Sequence, residues 1–253
     1  MKLGLIGAGN MASALARGVG EPMLVADIDA PKAQALADEL GGEAVSSNAE
    51  LARRADAILL CHKPQQLAEV AAEVGTNARV VISILAAVPT ADLEAAYPGV
   101  PVYRFIPNIP AEVRRGVLCY APGTRAADGP EETVLEVFGR AGTIVRLDDE
   151  PLIEPAMALM SCGPAFMALV ADAFADAGSA HGLDIGDAVR MTVETMAGTA
   201  AYLAANGYDT GALRARVATP GGATERGLIA LREEGLTAVC RAAVDAVVEG
   251  TRR

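Results

Sequence analysis

Two short segments hold the residues best suited to chemistry. Residues 7–12, GAGNMA, follow an apolar run and set Gly7, Gly9 and Ala12 in a G-x-G-x-x-A pattern. In that pattern Gly7 permits a tight turn, Gly9 lets backbone approach a pyrophosphate and Ala12 allows close helix–strand packing. Asn10 and Met11 occupy the turn and share the cofactor contact expected of it. The helix that follows would point its first N–H groups at the phosphates. The second segment, TPGGATERG at 219–227, lies far down the chain. Here Thr219 would cap a helix and Pro220 would begin it. Gly221 and Gly222, with Ala223 beside them, would offer backbone N–H groups to a carboxylate, and Thr224 would add a hydroxyl. Each segment also has a plainer reading, as a tight strand–helix turn and as an ordinary capped turn.

Further cofactor contacts are expected at the carboxyl ends of the strands. Asp27 ends the second apolar run, twenty residues after Gly7. A carboxylate there accepts hydrogen bonds from an adenosine ribose and repels a 2′-phosphate, which favours NADH over NADPH. The alternative is that Asp27 caps its own turn. Lys32 is the only nearby cation. His62, Lys63 and Pro64 follow DAILLC, Ala86 follows RVVISIL, and Asn108 lies in RFIPNIP. Asn48 could reach the adenosine side or serve as an N-cap.

These residues need elements to hold them. Over roughly the first 150 residues, short apolar runs alternate with helical patterns, which indicates βαβ units and a mostly parallel, doubly wound Rossmann-type sheet. The pattern changes near Asp148. Beyond it only Ala-rich helices are expected, at 152–181, 186–206, 209–217, 222–234 and 236–251. The fold class is therefore α/β, with residues 1–149 binding a dinucleotide and residues 150–253 forming an all-helical dimerisation and substrate-binding domain. The helices carry small apolar residues on several faces, which implies burial. Either the first domain or a second copy covers them. Twofold oligomers are the commonest kind, so a homodimer is expected.

Composition narrows the function. The net charge is −11, which argues against a nucleic-acid partner. The longest uncharged stretch, 155–171, contains Gly163-Pro164 and reads as a buried core helix rather than a membrane span. Four scattered cysteines, none in a C-x-x-C pair, suit a reducing cytoplasm and suggest no metal site. There are three lysines and two histidines in all, and the helical half has no lysine and only His181. Alcohol or hydroxyacid oxidation needs a base to take the hydroxyl proton. Imine reduction needs less, because a protonated C=N is already a strong electrophile. Alignment with a nicotinamide and exclusion of water do most of the work, and orientation alone can supply about 7–11 kcal/mol.

The segments GAGNMA, HKPQ at 62–65, RFIPNIP at 104–110, SCGPAF at 161–166 and TPGGATERG together resemble the pyrroline-5-carboxylate reductase family, in its order and over nearly the whole chain. The resemblance implies a Rossmann domain followed by a helical dimerisation domain, in a family whose dimers often assemble in rings. It implies reduction of the cyclic imine 1-pyrroline-5-carboxylate to L-proline by NADH or NADPH, the last step of proline biosynthesis. It also assigns the assisting hydroxyl to Thr224. Ile106 and Ile109 stand where the family has Met and Thr, Cys162 where it prefers Ser, and Thr219 replaces Ser. These departures leave open a related reductase acting on another cyclic imine. A non-catalytic dinucleotide-binding dimer that senses redox state is the reading from a different class.

Overall fold

Strands β1 (Leu3–Ile6), β4 (Ala57–Leu60), β5 (Val81–Ser83) and β6 (Val102–Ile106) are buried at every residue. Strands of this kind sit in sheets covered on both faces. In the computed structural model, which describes Met1 to Thr251, they join β2 (Leu24–Ala26), β3 (Glu43–Ala44), β7 (Gly116–Pro122) and β8 (Gly142–Arg146) in one eight-stranded sheet. Its order is β3-β2-β1-β4-β5-β6-β7-β8, and every pairing is parallel except β6 with β7. The order reverses direction between β1 and β4, which opens a crevice at their carboxyl ends.

Helices cover both faces. One core includes residues of α1 (Asn10–Val19), α2 (Ala30–Leu40) and α6 (Glu131–Gly139), among them Leu15, Leu36 and Phe138. The other includes residues of α3 (Asn48–Arg54), α4 (Leu67–Val74) and α5 (Thr90–Ala96), among them Leu51, Val74 and Leu93. Four of the nine aromatic side chains, Tyr103, Phe105, Tyr120 and Phe138, lie in the first core. Phe105 stacks on both Tyr120 and Phe138 with ring centroids 4.9 Å apart. Burying a side chain of this size contributes roughly 1.5–3 kcal/mol.

The run predicted as one helix over 152–181 is two, α7 (Ile153–Met160) and α8 (Gly163–Ala180). Pro164 has no N–H to give a preceding turn, and proline disfavours helical backbone in the residue before it. The chain breaks at Ser161–Cys162, whose N–H groups both donate to the Met157 carbonyl, at 2.9 and 3.0 Å. α7 is fastened at both ends. Ahead of it, Glu150 accepts from the Thr90 N–H at 2.7 Å, the Thr90 hydroxyl at 2.6 Å and the buried Arg104 guanidinium at 2.5 Å. At its end, the Asn108 amide donates to the Met160 carbonyl at 2.8 Å and the Ser161 hydroxyl to the Pro107 carbonyl at 3.2 Å.

The chain divides into two compact units, Met1–Pro164 and Ala165 onward, and α7 lies within the first of them. The second unit continues α8 with α9 (Ile185–Ala205), α10 (Thr210–Val217), α11 (Ala223–Glu233) and α12 (Leu236–Thr251), and no strand occurs among its described residues. Asp184 and Asp209 cap α9 and α10. Arg252 and Arg253, the end of the expected second domain, lie outside the described residues. Residues 150–180 are long and apolar enough to cross a membrane by length and composition alone. The expectation of a buried core helix there is not met within one chain, because Met167, Leu169 and Phe174 of α8 are exposed.

Candidate functional site

Register brings the first set of residues together. Ile6 pairs with Ala26 on one side and Leu60 on the other, so Gly7, Asp27 and Cys61 each lie one step past three aligned strand ends. The Gly7 N–H donates to the Ala26 carbonyl and the Cys61 N–H to the Ile6 carbonyl, both at 2.8 Å. A cleft of about 370 Å³ opens there, lined by Gly7, Gly9, Asp27, Asn48, His62 and Lys63 together with Ile28, Asp29, Lys32 and Gln66.

The cleft fits a dinucleotide on several counts. Gly7 has φ +101°, and a Cβ there would lie 2.8 Å from the Cys61 backbone, so only glycine suits the position. A Cβ on Gly9 would meet nothing within 4 Å, so that backbone faces open space. Gly9 is the N-cap of α1, no side chain caps that end and its first turn carries no acid. The helix terminus is therefore left with unsatisfied donors and a favourable dipole for an anion. His62 Nδ1 lies 2.9 Å from the Lys63 carbonyl. A carbonyl only accepts, so Nδ1 carries the proton and Nε2 is an acceptor in the neutral ring. Nε2 is buried without a protein partner among the described residues. Burial lowers the His62 pKa against the opposing pull of the Lys63 carbonyl, so the ring is neutral at pH 7.

Asp27 takes the turn-capping role considered for it and keeps acceptor sites for the other. Oδ2 accepts the Ala8 N–H at 2.6 Å, bracing the glycine-rich turn, and Oδ1 accepts the Asp29 N–H at 2.8 Å. A carboxylate has about four lone-pair sites, so room for ribose hydroxyls remains. Lys32 is not a free cation, since its Nζ lies 3.3 Å from the carboxylate of Asp29, the N-cap of α2. Asp29, Ile28 and Gln66 were not singled out from sequence. Asp29 was legible as the acid just before Ala-Pro at a helix start, a capping signal.

Asn10, Met11, Pro64, Ala86 and Asn108, also expected as contacts, fall outside the cleft lining. Asn10 and Met11 are the first two residues of α1, and Pro64 begins a short 3-10 turn, Pro64–Gln66. Ala86 is exposed in the turn after β5. Asn48 lines the cleft but is not the N-cap of α3; Ser47 is, and the Asn48 amide instead donates to Glu73 at 2.5 Å. Asn108 is buried, and its side chain donates to the Met160 carbonyl and accepts the Val117 N–H at 2.9 Å. That side chain thereby ties RFIPNIP to the end of α7.

The threonine turn differs in detail from its expected form. Thr219 is not the N-cap and Pro220 is not the first helical residue. Residues 219–222 form a β-turn closed by the Gly222 N–H on the Thr219 carbonyl at 2.9 Å. Proline second and a glycine of φ +70° third is the type II pattern. A positive φ cannot continue a helix, so α11 starts only at Ala223, with Gly222 as N-cap. The Gly221 N–H is also engaged, by Glu225 at 2.6 Å. The donors left for an anion are therefore the first-turn amides of Ala223, Thr224 and Glu225, with the exposed Thr224 side chain at the second helical position.

Comparison with known proteins bears on both places. Residues 150–253 match the family model described as pyrroline-5-carboxylate reductase dimerisation, and residues 2–87 match one described as NADP oxidoreductase coenzyme F420-dependent. A pyrroline-5-carboxylate reductase of Methanosarcina acetivorans is 34% identical over 263 aligned positions, covering 100% of this chain and 96% of the relative. The chain belongs to the pyrroline-5-carboxylate reductase family. Among solved structures, the pyrroline-5-carboxylate reductase of Coxiella burnetii superposes with a TM-score of 0.91 at 25% identity, covering 99% of this chain and 97% of that one. The Plasmodium falciparum pyrroline carboxylate reductase, solved with NADP bound, gives a TM-score of 0.83 at 25% identity, covering 99% and 97%. As a pyrroline-5-carboxylate reductase family member, the chain carries the glycine-rich cleft within one matched region and the threonine turn within the other.

Proposed function

We propose that this protein reduces 1-pyrroline-5-carboxylate to L-proline, working as a homodimer, with Thr224 as the one side chain touching the reacting imine. The observation that carries the reading is the turn at 219–224, which leaves three amides and one hydroxyl together at the start of α11 in a member of this family. Such a substrate has an anionic carboxylate and a ring nitrogen. The amides of Ala223, Thr224 and Glu225 suit the carboxylate, with the preceding Thr219–Gly222 turn shaping their approach. The Thr224 hydroxyl suits the nitrogen as hydrogen-bond partner and proton relay. Reduced nicotinamide dinucleotide supplies the hydride. The unit bearing Thr224 contains no lysine, in keeping with an acceptor that needs no strong base.

The cleft beside Gly7 and Gly9 is assigned to the cofactor. His62 offers an acceptor there, and Asp27 and Asp29 together weigh against a 2′-phosphate, so NADH is the favoured donor. Rings of dimers are the finer expectation for assembly, checked by mass photometry. The functional test is steady-state kinetics with 1-pyrroline-5-carboxylate and each cofactor in turn. A kcat/KM for NADH about tenfold or more above that for NADPH is expected, equivalent to some 1.4 kcal/mol of discrimination. No nucleotide oxidation with this imine overturns the activity, and a preference for NADPH overturns the reading of Asp27.

A further inference from the structure

We propose that Glu225 is a positioning residue whose carboxylate shapes the turn that presents Thr224. The proposal rests on the reading of that turn as the substrate site. Both peptide units around Gly221 are gripped by neighbours on the helix they aim. Glu225 Oε2 accepts the Gly221 N–H at 2.6 Å, and Arg226 Nη1 donates to the Gly221 carbonyl at 2.8 Å. In the usual capping box, a glutamate at the third helical position reaches back to the N-cap amide. Here that amide, on Gly222, is taken by Thr219, so the glutamate reaches one residue further, to Gly221.

The close fit in the turn is at Gly222, where a Cβ would lie 2.4 Å from the Thr219 hydroxyl, and packing does not hold Gly221. A Cβ on Gly221 would meet no atom within 4 Å, and Thr219, Gly221 and Thr224 are all exposed. Two adjacent glycines also lose more conformational freedom on ordering than any other pair. Gly221, with this much entropy and so little contact, is held in place by its polar anchors. The Glu225 bond is charge-assisted, the stronger kind. Without it, Gly221 samples other φ values, and the first-turn amides and the Thr224 hydroxyl lose their common aim.

The test compares full-length wild type with Glu225→Ala and Glu225→Gln. Glutamine keeps an oxygen acceptor for Gly221, and alanine does not. Glu225→Ala is expected to raise KM for 1-pyrroline-5-carboxylate about tenfold while KM for NADH changes by less than about twofold. Glu225→Gln is expected to recover most of that loss. Amide hydrogen exchange across 219–225, measured without substrate, should quicken in Glu225→Ala and slow again in Glu225→Gln. The exchange reading needs no turnover, so it judges the role of Glu225 even if the imine proves not to be the substrate. Unchanged exchange in Glu225→Ala overturns the proposal. So does a Glu225→Gln variant no better than Glu225→Ala, or faster exchange with an unaltered KM for a turned-over imine.

Discussion

Thr224 and Asp27 carry the sharpest consequences because neither supports the core. Thr224 is exposed and makes no side-chain bond among the described residues, so removing its hydroxyl leaves the fold nearly untouched. Thr224→Ala is expected to lower kcat by about 10²-fold, the lower end for a positioned proton partner, with Tm unchanged and Thr224→Ser retaining most activity. Wild-type kinetics in Thr224→Ala would remove it from the reaction. Asp27 is different, since it also braces Ala8. Asp27→Asn keeps an oxygen acceptor for that amide and deletes the charge. The NADPH/NADH ratio of kcat/KM should rise about tenfold, and an unchanged ratio would place the discrimination elsewhere.

At the scale of elements, the positions of α1 and α7 depend on contacts invisible to local pattern. Gly18 faces the 3-10 segment Ile109–Val113, and a Cβ there would lie 2.1 Å from the Ala111 carbonyl oxygen. Alanine would gain about 1 kcal/mol in helix propensity. That carbonyl cannot retreat freely, since it accepts the Arg114 N–H at 2.9 Å, and overpacking against such a group costs about 1–3 kcal/mol or more. Gly18→Ala should therefore destabilise, by about 1–2 kcal/mol in a denaturant melt. The clamp ahead of α7 is electrostatic. Burial raises the Glu150 pKa, but the Thr90 bonds and the Arg104 guanidinium outweigh burial and hold it below the usual carboxylate range. A depressed carboxylate adds stability above its unfolded pKa and loses it as pH falls through the folded one. Glu150→Gln should cost about 1–3 kcal/mol at neutral pH, with the gap to wild type closing below about pH 4. Parallel melting curves from pH 7 to 3 check this, and a constant gap would refute it.

For the whole molecule, the exposed apolar surface of the second unit is the decisive feature. Leu169 is 69% exposed and Phe174 51%, on a helix within the region matched by a dimerisation family. Single exposed apolar residues need no explanation, but a helix that displays several does. Phe174→Glu is expected to shift the protein to monomer in sedimentation velocity, since burying an unpaired carboxylate costs several kcal/mol. An intact dimer in that variant would locate the interface away from this face of α8.

Much of the sheet was legible because parallel strands buried on both faces leave continuous apolar runs, as in AILL and VYRFI. The glycine-rich turn was legible because its residue types follow from backbone clearance alone. What local pattern could not supply were pairings between distant residues. Asn108 reads as a loop polar residue at a strand end, yet folding sets it between Met160 and Val117 and spends its amide there. Pro220 reads as a helix start, yet the positive φ of Gly221 delays α11 by three residues and hands the anion donors to Ala223, Thr224 and Glu225. Sequence by itself determined which backbone shapes were affordable and which faces had to leave water. Tertiary structure alone decided which donors and acceptors remained unspent, because a hydrogen bond is settled by three-dimensional proximity and each group can satisfy only so many partners.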